Sequence, residues 1–122
     1  MIGWFSIAYG AALSALLAAV LVGWVLRERR PQVIASAAVA AAAGPIAWNA
    51  ILHHVGGSGF FVDAPIIVFP VSWQDTGSGV FATAGASLVL GLGVLRDASA
   101  RALFRTTIAC GVAALLVDIY LY

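Results

Sequence analysis

The sequence predicts an all-helical membrane protein, a bundle of four transmembrane helices with an apolar interfacial or re-entrant segment between helices 2 and 3. Composition is the first ground. Of 122 residues, 63% are hydrophobic and 9% charged, against about 25% charged in a soluble domain. With a mean hydropathy of +1.06, most of the surface calls for lipid as its solvent. The second ground is length, since four apolar runs each suit a hydrocarbon core that takes about 20 helical residues to cross. Third, the runs lack the in-out alternation of a membrane barrel. One domain accommodates the whole chain.

Helix 1 is expected over about Gly3 to Leu26, ending at Arg27, Arg29 and Arg30, with Glu28 a solvated turn charge among them. Helix 2 spans about Val33 to Val55. Its runs Ala35-Ser36-Ala37-Ala38 and Ala40-Ala41-Ala42-Ala43-Gly44 suit close helix contact. Pro45 removes a backbone donor and crowds the preceding turn, so a bend is expected there. Helix 3 runs from about Gly77 to Leu95, with small residues Ser78, Ala82 and Ala86 at four-residue spacing. Helix 4 runs from about Ala102 to Leu121, with Asp97 and Ser99 as candidate caps.

Arginine sets the expected orientation. All six basic residues are arginines, in the turn between helices 1 and 2 and around the turn between helices 3 and 4 at Arg96, Arg101 and Arg105. Short cytoplasmic loops carry the basic excess. Both termini and the outer connection, 56–76, are therefore expected on the non-cytoplasmic side of a cell membrane. The absence of lysine beside abundant alanine and glycine suggests a GC-rich bacterial genome. A net charge of +1 gives no ground for a nucleic-acid partner.

Cys110, the single cysteine, forms no internal disulfide and excludes a site built on several thiolates. It is expected as a small buried apolar residue. The start of the chain lacks the basic region of a cleavable signal peptide, and neither end carries a lipidation motif.

The outer connection begins with Gly56-Gly57-Ser58-Gly59 and continues from Phe60 to Trp73. The second part is too apolar for a solvated loop and too short and proline-broken to span a membrane. Phe60, Phe61, Phe69 and Trp73 suit interfacial anchors. The same segment suits a lid over a ligand site or a docking surface.

Chemistry-bearing side chains gather at this outer end. His53 and His54 close helix 2, Asn49 lies one turn deeper on the His53 face, and Asp118 approaches the end of helix 4. Candidate catalytic residues are His53, His54, Asp75 and Asp118, because imidazole and carboxylate together relay protons or bind a divalent cation. Candidate ligand-binding residues are Asn49, Asp63, Trp73, Gln74 and Tyr9. Adjacent histidines on a helix point about 100° apart, which argues against both gripping one ion. The sequence identifies no cofactor and leaves the metal question open. Ser72-Trp73-Gln74-Asp75 has the spacing of a capping box, so Asp75 also suits a helix start. Asn49 suits an interhelical hydrogen bond.

No phosphate loop, nucleophile elbow, zinc-protease helix or dinucleotide fingerprint occurs. The leading expectation is an interaction or accessory subunit of a larger membrane assembly, with lipid and other membrane subunits, or further copies of itself, as partners. A membrane-embedded enzyme or lipid-binding protein with a His/Asp site at the outer leaflet is the alternative. A small oligomeric transporter ranks third, since helices 1 and 3 place no charged residue near the midplane, where transport sites usually sit.

Overall fold

In the computed structural model, residues 3–56 and 71–121 are described, with no side-chain description for residue 121. They form helix α1, Trp4–Val20, continued by a π-helical segment, Leu21–Val25, then α2, Pro31–Val55, α3, Trp73–Gly91, and α4, Ala100–Leu121. No strand occurs among the described residues. Trp4–Val25, Pro31–Val55 and Ala100–Tyr120 are long and apolar enough to cross a membrane, as in a multi-pass membrane protein.

Local chemistry sets the boundaries. Pro31 opens α2 at a position where its missing N–H costs no intrahelical bond. Gly56 ends that helix in the left-handed region at φ 69°, which a residue without Cβ adopts most readily. Helix α3 begins four residues before the expected Gly77, because the Ser72 side chain accepts from Asp75 N and the Asp75 carboxylate accepts from Ser72 N. It also ends at Gly91, before the expected Leu95. Leu95 N donates to Leu90 O at 2.9 Å, and this turn folds the Leu95 side chain into the core. Ser99 Oγ accepts from Ala102 N and caps α4, whereas Asp97 stays exposed.

Small side chains bring the helices together. Ala18 and Val22 of the first helix, Val33, Ala37, Ala40 and Ala41 of α2, and Ala86 and Leu90 of α3 meet Cys110 and Ala113 of α4 in one buried cluster. Cys110 is buried as expected, with its Sγ donating to Ala37 O at 3.4 Å. A Cβ on Gly44 would run into the backbone of Ala82 and Phe81, so α2 and α3 meet main chain to main chain there. Helix α2 continues through Pro45, whose carbonyl also accepts from Asn49 Nδ2 at 2.9 Å.

Candidate functional site

The alanine-rich cluster fills the half of the bundle nearer the arginine turns, and a polar cluster occupies the other half. Gln74, in the first turn of α3, is its hub. Its Nε2 lies 3.2 Å from Asn49 Oδ1 on α2, 3.0 Å from Asp118 Oδ2 on α4, and 3.3 Å from Ser78 Oγ. Gln74, Asn49 and Asp118 are each only 1% exposed. The Ser78 hydroxyl also lies near the Asp118 carboxylate. A carboxamide has two N–H groups for three neighbouring oxygens. The two shorter contacts, to Asp118 and Asn49, take those hydrogens.

The capping box positions this hub. By starting α3 at Trp73, it sets Gln74 and Ser78 one turn apart on the buried face and leaves Trp73 exposed. Trp48 of α2 steadies the same turn, donating from Nε1 to Gln74 O at 3.0 Å and lying against Phe81 at 5.2 Å between ring centroids. A Cβ at Gly77 would collide with the Trp48 ring.

The candidate residues fall into separate surroundings. Asn49, Gln74 and Asp118 are joined directly. Asp75 is buried in the capping box and close enough for its charge to act on Asp118. His53 stacks on Trp4 of α1, with centroids 4.8 Å apart and planes at 29°. His54 is exposed, as is Tyr9. The adjacent histidines thus have different environments, as the 100° helical step requires. Asp63 lies outside the described residues.

Ser78 is the cluster member that sequence reasoning took only for a small packing residue. Its spacing of four from Gln74 was the available signal. No group of three or more His, Cys, Asp or Glu suited to a metal ion occurs among the described residues. Chemically, the cluster ties α2, α3 and α4 together through one amide. It also leaves two acceptors, Gln74 Oε1 and Asp118 Oδ1, buried without a hydrogen-bond partner among the described residues.

An apolar groove of about 230 Å³ opens on the outer side of α3 and α4, between Thr76, Gly79, Val80 and Thr83 on one wall and Gly111 and Val112 on the other. A second, of about 320 Å³, lies between the end of the first helix and α4, with Val25 and Leu26 on one side and Phe104 and Arg105 on the other. This neighbourhood puts the arginine-bearing turns at one end of the bundle. Searches with the whole chain found no matching protein family, no similar curated protein and no similar solved structure.

Proposed function

We propose that the chain is a multi-pass protein of a bacterial cell membrane, with four spans and both termini outside, that serves as an accessory subunit in a larger membrane assembly. The observation that carries this is the α3–α4 groove. Gly79 and Gly111 are buried at its floor, where α3 and α4 approach each other closely. Exposed Thr76, Val80, Ile108 and Val112 form its walls, a recess that suits the side chains of a neighbouring helix, where packing replaces the hydrophobic effect.

Helix α3 supports the proposal from a second side. It is the helix outside the apolar candidate spans, yet its hydroxyls are satisfied within the chain. Thr76, Thr83 and Ser87 donate to the carbonyls of Ser72, Gly79 and Thr83. Such back-bonding lowers the cost of hydroxyls in hydrocarbon. A helix of this composition is better accommodated against protein than against lipid alone.

The test places a photo-crosslinking residue at Val112, in the groove, and at Leu16, on the exposed face of α1. In native membranes Val112 is expected to give a discrete protein adduct, Leu16 none, and Val80→Trp in the groove should abolish it. A product of two tagged copies identifies self-association. Protein adducts absent from Val112, or equal at both positions, overturn the proposal.

A further inference from the structure

The two unsatisfied oxygens at the hub belong to adjoining groups. Gln74 Nε2 donates to Asp118 Oδ2 at 3.0 Å. The other oxygen of each side chain, Gln74 Oε1 and Asp118 Oδ1, is buried without a hydrogen-bond partner among the described residues. As an ionised pair these are two acceptors, and neither can satisfy the other.

The charge inventory is equally one-sided. Among the described residues, Asp75 on α3 is the charged group acting on Asp118, and it is an acid. Trp4–Val25 and Pro31–Val55 contain no charged residue. The titratable side chains at the outer end of α2 are His53, stacked on Trp4, and exposed His54, while Tyr9 of α1 is exposed. A carboxylate 1% exposed would sit beside a second acid, and burial of such a charge without a cationic partner is costly.

We propose that Asp118 is a proton-binding site, carrying a proton on Oδ1 and donating it to Gln74 Oε1. With the Nε2–H···Oδ2 bond already present, this closes a reciprocal acid–amide pair in which each group gives one hydrogen bond and accepts one. One proton removes the buried charge, turns an orphan acceptor into a donor and supplies the other orphan with its partner. A hard metal ion fits less well, since it needs about six oxygens and the amide hydrogens of Gln74 already point into the cluster. Losing the proton would break half of the pair that joins α3 to α4, so occupancy of the site is coupled to how the outer end of α4 is held. This assignment is independent of the accessory-subunit proposal.

Asparagine reproduces the protonated form, with an N–H in place of the acid O–H. The experiment compares wild type with Asp118→Asn, purified in lipid at neutral pH, by infrared spectroscopy and thermal unfolding. A protonated-carboxyl C=O band is expected in wild type and should be missing from Asp118→Asn. The melting temperatures should agree to within about 4 °C, a shift of order 1 kcal/mol. The proposal is overturned by absence of the band from wild type, by its persistence in folded Asp118→Asn, or by failure of that isostere to fold.

Discussion

Gln74 Nε2 donates to Asp118 Oδ2 at 3.0 Å inside the bundle, tying the first turn of α3 to the last turns of α4. Because Gln74 also reaches Asn49, removing its carboxamide strips partners from two buried side chains at once. Gln74→Ala is expected to destabilise the protein by about 1–3 kcal/mol, the usual cost of unsatisfied buried polar groups. Denaturant titration in detergent measures it, and an unchanged midpoint would refute a structural role for the hub.

Two glycine substitutions separate close approach from helix propensity. Gly44→Ala drives a Cβ into the backbone of Ala82 and Phe81, which cannot rotate away, and should cost about 1–3 kcal/mol as overpacking. Gly85→Ala meets nothing within 4 Å and should be neutral or stabilising by about 0.5–1 kcal/mol. Equal effects on the unfolding midpoint would contradict the α2–α3 contact.

Arg27 adopts φ 57°, left-handed for a residue with a side chain. In the same turn, Glu28 N donates to Val22 O at 3.0 Å. Arg27→Gly is expected to stabilise the protein by up to about 1 kcal/mol, provided membrane insertion is unaltered. Thermal unfolding of correctly inserted protein reads the gain.

Glu28 accepts from the Arg30 side chain and from the backbone of Arg29 and Arg30. The Arg30 contact holds its carboxyl below the ordinary value. A folded value lower than the unfolded one contributes stability above the unfolded value, and that stability is lost as pH falls through the depressed one. Acidification should therefore lower the protection of the Arg29 and Arg30 amides, measured as exchange relative to the intrinsic rate at each pH, and Glu28→Gln should show lower protection already at neutral pH. Protection indifferent to both changes would remove the ion pair from the account of this turn.

Hydropathy made the helical content legible, because each apolar run is long and uniform. The box from Ser72 to Asp75 was legible too, since a cap is a local spacing. Its consequence was harder to read: starting α3 at Trp73 moves Gln74 from a loop into a helix, where it turns inward. That Asn49, Gln74 and Asp118 gather at one end was legible, but their direct joining was not, because they are distant in sequence and meet only through packing of small residues such as Gly44 and Ala82. At the other end of α3, the apolar character of Leu92, Val94 and Leu95 resembled continuing helix. The structure turns there, with Arg96 N donating to Gly93 O.

The π-helical segment Leu21–Val25 gives the first helix one spare residue. Hydrogen bonds there span five residues, as in Leu26 N to Leu21 O at 3.0 Å, where an α-helix spans four. Deleting one residue within Leu21–Val25 would let the ladder close in α-helical register and still deliver the chain to Arg27. A deletion in the middle of α1 would instead rotate Ile7, Ala11 and Ser14 out of phase with Ala18 and Val22. The chain thus has a built-in length adjuster just above its arginine turn, at a point where the sequence can shorten while the buried face keeps its alignment.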